Sequence, residues 1–296
     1  MRLDRIATLY LARPLLASGL MSRGRMLPIL MYHSISDDPQ PGVSPYYKTT
    51  TSPVAFENQL RQLSAAGYKS VCLGAAVGLM KAGRELPDKI VVITFDDGFR
   101  DFYDLAFPIL KRHGHTASMF LPTAFIGNDR RTFKGRECLV WNEVRELYAA
   151  GIEFGSHTVN HPKLYELRWR EIEAELAVSK DRIERELQEP VASFSYPFAF
   201  PQHDGQFTAK FSSLLQTFGY ESCATTIIGR VRAGDNPLCL KRLPVNSCDD
   251  QALLDAKLRG AYDWLARVQG WYKSLRHRPT RASVETTQSA SRPQPN

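Results

Sequence analysis

A parallel α/β fold, with strands and helices taking turns along one domain, is what this sequence predicts. Apolar strand-like runs and amphipathic helical stretches alternate at least five times, and the helical stretches end on glycines. Placement is the second observation. Four polar motifs, "MYHS", "TFDDG", "GSHTVNH" and "SYPF", each follow an apolar run directly, as reactive groups do at the C-terminal ends of parallel strands.

The first strand is read in "PILMYHSIS", an apolar run closing on Tyr32 and His33. Ser52 caps a helix that starts at Pro53, and "VAFENQLRQLSAAG" keeps apolar positions at helical spacing until Gly67. A short strand, "YKSVCL", comes next, then the buried strand "KIVVITF", a helix over "FRDFYDLAFPILKRHG" closed by Gly114, and a strand over "TASMFLPT". The helix "NEVRELYAAG", the strand "IEFGS" and a long charged helix from Leu164 to Leu187 follow. The strand "VASFSYP", the helix "QFTAKFSSLLQTFG", the strands "YESCATT" and "LCLKRLPV" and a helix from Asp250 complete the pattern. No internal repeat and no interdomain linker interrupts it.

Composition bounds the function. The 296 residues are 43% hydrophobic and 23% charged, enough for one large globular domain. The formal charge is +7, but residues 1–25 carry +4 and residues 267–296 carry +5, so the stretch between is net −2. That distribution excludes a nucleic-acid footprint and fits either a membrane surface or simple solubility at the ends. Five cysteines without a C-x-x-C pair read as buried free thiols rather than a disulfide framework. The early stretch "IATLYLARPLLASGL" is broken by Arg13 and Pro14, so it forms neither a cleavable signal core nor a membrane span, and reads as a short interfacial or docking helix. We therefore expect a basic, partly apolar segment over residues 1–25, one domain over 26–270 and a disordered basic tail over 271–296, in a protein that is cytoplasmic or peripheral to the membrane.

"VVITFDDG" sets two adjacent carboxylates, Asp96 and Asp97, after a strongly apolar strand. Alone, this is equally an Asp-Gly turn with Asp96 as a helix cap. "GSHTVNHP" sets His157 and His161 four apart past another strand. Alone, this is a spacing that chance supplies often. Together, one carboxylate and two imidazoles make a divalent-metal site with positions open to water and substrate, and the second carboxylate is left for base chemistry.

At these residues the chain resembles the polysaccharide deacetylases with the NodB homology domain, carbohydrate esterase family 4. The motif T-F-D-D-G stands here as Thr94 to Gly98 and S-H-T-x-x-H as Ser156 to His161, within a resemblance running from Pro28 to Val245. The resemblance implies a single-domain distorted (β/α) barrel that removes N-acetyl groups from an N-acetylated polysaccharide or oligosaccharide. It implies Asp96 as base and Asp97, His157 and His161 as ligands of one divalent ion, zinc being the first expectation.

Two departures stand out. The family's third motif, commonly R-P-P-Y, aligns with "SYPF", so Ser195 replaces an arginine that helps hold the base. Tyr196, Pro197 and Phe198 follow, and the Phe198 N–H is implied to face the oxyanion. The late L-x-H that supplies the general acid is missing: His203 follows too closely, and His277 lies in the tail. A branch similar to the poly-N-acetylglucosamine deacetylases is circularly permuted, with the acid-bearing strand first. On that resemblance "LMYH" makes His33 the general acid, whereas by itself it reads as a core histidine. Tyr196 and Trp141 are candidate sugar walls. Arg242 either replaces the absent arginine beside Asp96 or is a surface residue of "KR", and the surface reading is preferred. The competing functions are an inactive sugar-binding or polysaccharide-assembly protein on the same barrel, and a membrane adaptor resting on the basic ends.

Overall fold

A computed structural model describes residues 2–18, 25–266 and 268–269. The expected tail over 271–296 lies outside the described residues. Eight parallel strands form the main sheet: β1 (Ile29–Tyr32), β2 (Lys69–Ser70), β3 (Ile90–Phe95), β4 (Ser118–Leu121), β5 (Glu153–Ser156), β6 (Ser193–Ser195), β7 (Ser222–Ile228) and β8 (Leu240–Pro244). Seven of them run in the order β1-β8-β7-β6-β5-β4-β3, and β3 returns to β1, closing a barrel. The short β2 pairs only with the start of β3, Lys69 against Ile90 and Ser70 against Val91.

β1 closes the barrel. Its residues pair with β3 from Ile29↔Val92 to Tyr32↔Phe95 and with β8 at Leu30↔Leu243. The first strand in the sequence thus lies between the last one and the strand leading to Asp96. β3, buried at all six positions, reads as an unbroken apolar run because helices and barrel interior cover both its faces.

The helices end as their glycines require. Gly67, Gly114, Gly151 and Gly219 all have positive φ, which lets the chain leave each helix through the left-handed region. Ser52 caps the helix Pro53–Ala65, accepting from the Ala55 N–H, and Asp250 caps Gln251–Arg259, accepting from the Leu253 N–H.

Several elements depart from expectation. "YKSVCL" contributes only two strand residues, and the helix Leu73–Lys81 follows it, uncalled for by the sequence because Gly74 and Gly78 interrupt an otherwise uniformly apolar stretch. The long helix starts at Trp169 rather than Leu164; a 3-10 turn, Leu164–Glu166, precedes it, with extended backbone at Arg168. The helix after β3 opens as a π-turn, Phe102–Ala106, before the α-helix Phe107–Arg112. Pro108 has no N–H for Asp104, which frees a carbonyl and loosens that turn.

Candidate metal and catalytic site

Each reactive side chain arrives at the end of a barrel strand. Past β3 the backbone turns sharply, with φ 74° at Asp97 and 63° at Gly98. A Cβ on Gly98 would meet Ile126 Cδ1 and Leu121 Cδ2 at 3.0 Å, so a side chain there would be crowded as well as strained by the positive φ. Past β5, Ser156 Oγ accepts from the Thr158 N–H at 3.2 Å and Thr158 Oγ1 accepts from the His161 N–H at 2.9 Å, curling the loop so that both imidazoles meet one point. Five of the eight non-glycine residues with positive φ among those described, Asp97, Lys134, Thr158, His161 and Phe198, gather here. Such strain is held where the surrounding structure fixes a functional geometry.

Asp97, His157 and His161 are buried and can offer ligand atoms within 4.8 Å of one another. His157 Nε2 lies 3.7 Å and His161 Nε2 3.2 Å from Asp97 Oδ1, an oxygen that is buried and has no hydrogen-bond donor. A buried carboxylate oxygen without a donor is costly, and a cation between it and the two ring nitrogens would satisfy it. Second contacts set the orientations. His157 Nδ1 is 2.8 Å from the Ser195 carbonyl, which assigns the proton to Nδ1 and leaves Nε2 as a lone pair. Burial pulls the His157 pKa down to about 4, against the opposing pull of Asp96 and Asp97, so the ring is neutral as a ligand must be. The donor set and the orphaned oxygen fit a divalent ion.

Asp96 lies beside this triad, buried and held by a residue whose sequence reading needs correcting. Arg242 is not a surface residue: its side chain is 0% exposed. Its Nη1 donates to Asp96 Oδ1 at 2.9 Å and its Nη2 to Oδ2 at 2.8 Å. Ser195 joins the pair, donating to Asp96 Oδ1 at 3.1 Å while accepting from Arg242 Nη2 at 3.1 Å. The remaining guanidinium donors reach the Thr225 carbonyl and Thr94 Oγ1. Burial alone would raise the Asp96 pKa, but Arg242, His157 and His33 hold it well below the usual carboxylate range. The signal was present in the sequence: in a strand Lys241 and Arg242 face opposite sides, so only one of "KR" can face solvent.

His33 comes to the same place from the end of β1. Its Nε2 is 4.0 Å from Asp96 Oδ2, with 21% of the side chain exposed. Burial lowers its pKa, and the carboxylates of Asp97 and Asp96 partly offset that. His203 and Tyr165 sit ring to ring at 5.9 Å, packed together rather than at the triad.

Among the aromatic candidates, Phe198 is the one at the surface. It is 45% exposed, with its ring 4.7 Å from that of His161. Pro197, Phe198 and Tyr196 line a cavity of about 300 Å³ together with Lys163, Tyr165 and Glu166. As a sugar-stacking wall Tyr196 is corrected: it is 1% exposed, its ring packed on Phe200 and Phe211. Trp141 is corrected too, being 0% exposed at the start of a helix in the core.

Sequence reasoning missed Lys134. A two-stranded hairpin, Thr132–Phe133 against Arg136–Glu137, turns at Lys134 and Gly135 and overhangs the triad. Lys134 Nζ is 3.0 Å from Asp97 Oδ2, 4.6 Å from the Phe133 ring centroid and 5.8 Å from that of Phe198. The "FKGR" stretch, with glycine at the tight turn, was the available signal.

Comparison with known proteins agrees with this geometry. The family model described as polysaccharide deacetylase matches residues 83–222. YxkH of Bacillus subtilis is 28% identical over 220 residues, 74% of this chain and 71% of that protein. The poly-beta-1,6-N-acetyl-D-glucosamine N-deacetylase of Staphylococcus aureus is 27% identical over 180 residues, 58% of this chain; the match spans 61% of that enzyme, less than two thirds of its length. Among solved structures, IcaB from Ammonifex degensii superposes with a TM-score of 0.67 at 26% identity, over 80% of this chain and 98% of that one. The deacetylase PplD of Streptococcus pyogenes shares the fold at 0.67 and 24% identity, over 79% and 98%. The fold, the two strand-end motifs and these relatives coincide on one likeness: the chain is similar to the polysaccharide deacetylases, whose family model it matches over residues 83–222.

Proposed function

We propose that this deacetylase hydrolyses the acetamide of N-acetylglucosamine units in a polysaccharide, with zinc held by Asp97, His157 and His161, Asp96 as base and His33 as general acid. The observation that carries the reading is the donorless Asp97 Oδ1 facing two histidine nitrogens beside a second, separately anchored carboxylate. A protein that only bound sugar would gain nothing from that arrangement, which argues against the inactive alternative.

A divalent ion in this triad supplies Lewis acidity and brings a water pKa toward about 7, so that even a weak base can take its proton. Asp96 is such a weak base. Arg242 and Ser195 fix the carboxylate and keep it ionised, with Oδ2 on the side of His33. As the water oxygen bonds to the acyl carbon, its proton passes to Asp96. The Phe198 N–H, on a backbone held at φ 58°, is assigned to the developing oxyanion, where a well-placed donor is worth about 3 kcal/mol. His33 gives its proton to the sugar nitrogen as the C–N bond breaks, leaving a free amine and acetic acid. The proton on Asp96 then returns to His33 across the gap between them, restoring both groups.

The test is acetate release from a panel of N-acetylglucosamine oligomers with different linkages, with and without a chelator. Release that stops with chelator, returns with zinc and is absent in Asp96→Asn supports the reading. Release that persists in Asp96→Asn would overturn it.

A further inference from the structure

We infer that Lys134 is a positioning residue that holds the outer oxygen of Asp97, Oδ2, so that this carboxylate presents only Oδ1 to a metal ion. The two oxygens of Asp97 face different partners. Oδ1 lies 3.7 Å from His157 Nε2 and 3.2 Å from His161 Nε2, whereas Oδ2 lies 3.0 Å from Lys134 Nζ. A carboxylate with both oxygens open can close on one cation through the pair. A charge-assisted hydrogen bond from an ammonium engages one oxygen and leaves the other, so the ligand binds end-on. Coordination positions that a second oxygen would fill then stay open to water and substrate.

The hairpin that carries Lys134 fixes the ammonium in place. Lys134 and Gly135 turn through left-handed backbone, with φ 51° and 74°, as a two-residue hairpin turn requires. The base of the hairpin is joined to the residues just past Asp97: the Arg100 N–H donates to the Glu137 carbonyl and the Leu139 N–H to the Gly98 carbonyl, both at 2.9 Å. Arg136 ties it on the side of His33, donating to Ser34 Oγ and Ser36 Oγ at 3.0 Å. The Phe133 ring packs on Phe125 at 4.2 Å and on His161 at 5.1 Å. The Lys134 ammonium lies 4.6 Å from the centroid of that same ring, whose face favours a cation. Ammonium, hairpin and ligand loop are thereby one unit.

A lysine standing in for the ion would bind Oδ1, between the carboxylate and the two imidazoles. Oδ1 has no hydrogen-bond donor, and Lys134 is on the other oxygen. Ammonium and ion can therefore be held by Asp97 at once.

The inference rests on Asp97, His157 and His161 being the ligands of a divalent ion, and the experiment separates the two claims. The full chain and its variants Lys134→Met and Lys134→Arg are loaded with cobalt, whose visible absorption weakens as its coordination number rises. Metal analysis gives the loading and the melting curve reports the fold. We expect the wild type to load cobalt and Lys134→Met to stay folded yet absorb more weakly per bound ion, because Oδ2 is then free to join Oδ1. Lys134→Arg, which keeps the charge and a donor, should restore the wild-type band. Loss of the ion from Lys134→Met alone, with the fold intact, supports the inference as well. An unchanged band in Lys134→Met, whatever its melting temperature, or a weakened band that Lys134→Arg does not restore, overturns the inference and leaves the site in place. A wild type that takes up no cobalt overturns the site itself, and this inference with it.

Discussion

Arg242 grips Asp96 through two parallel hydrogen bonds, at 2.9 and 2.8 Å, from the opposite side of β1. The family's third motif supplies an arginine at the position of Ser195, and here that arginine comes from β8 while the serine hydroxyl bridges the pair. A fork-shaped guanidinium bound to both oxygens sets charge and orientation together. Asp96, the proposed base, is therefore oriented from a different strand, with the same chemistry.

Arg242→Ala should leave Asp96 as an unpaired buried charge, costing about 3–5 kcal/mol of stability. The sign of the pH effect follows from the depressed Asp96 pKa: the pair contributes stability at neutral pH and loses it only as pH falls through the low folded-state value. Without Arg242, that loss and the acid limb of the pH–rate profile both move to higher pH. Arg242→Lys keeps the charge without the fork and should recover stability better than turnover. An acid limb that stays in place in Arg242→Ala would contradict the assignment.

Asp96→Asn and Asp97→Asn should separate base from ligand. The first should retain zinc while losing about 10²- to 10⁴-fold in turnover, the scale of a general base. The second removes a ligand and should lose both. Because an ion that binds only the folded state stabilises by mass action, by about 2.7 kcal/mol at a hundred times its dissociation constant, zinc should raise the melting temperature of the wild type and of Asp96→Asn. It should leave the double variant His157→Ala, His161→Ala nearly unmoved. A full zinc-induced shift in that double variant would place the ion elsewhere.

A third prediction concerns Asp101, which accepts from the Ser34 hydroxyl next to His33; Arg136 in turn donates to Ser34 Oγ and Ser36 Oγ at 3.0 Å. Asp101 Oδ1 is buried with no partner, and burial raises the carboxyl pKa to about 6 despite the Ser34 bond. A carboxyl raised in the folded state binds its proton more tightly there than in the unfolded chain. Stability therefore falls as pH climbs from about 4 to about 6, and the penalty stays above that. Asp101→Asn should remove this slope, gaining on the order of 2 kcal/mol relative to the wild type between pH 4 and 7. Parallel stability curves for the two proteins across that range would show that Asp101 titrates normally.

What could be read from the sequence was whatever local order encodes. Apolar runs gave the strands, glycines gave the helix ends, and the motifs at strand ends gave Asp96, Asp97, His157 and His161, which the fold brings into one buried cluster. What escaped depends on pairs far apart in the chain. Arg242 meets Asp96 across 146 residues, and nothing near "LKRLP" names its partner. Lys134 is placed by a hairpin too short to carry a periodic pattern. Trp141 and Tyr196 failed as sugar walls because adjacency to a motif says nothing about which way a ring points. Both point into the core.

His33 is the residue on which the order of strands bears most directly. β1 lies between β8 and β3, so the imidazole at its end faces the carboxylate that follows β3, at 4.0 Å. A general acid there must give a proton to an amine, a leaving group that is very poor when unprotonated. His33→Ala should therefore keep the fold and the ion yet lose about 10²- to 10⁴-fold on an acetamide, and lose far less on an activated ester, whose leaving group needs no proton. A histidine that merely fills space predicts a lower melting temperature with equal losses on both substrates. The pH profile adds an independent check: the basic limb reports loss of the acid's proton, so it should flatten in His33→Ala on the ester while the acid limb, set by Asp96, stays where it was. Rates on the two substrates, the melting curve and the two limbs together distinguish proton donor from packing residue in one variant, and equal losses with destabilisation would return His33 to the core.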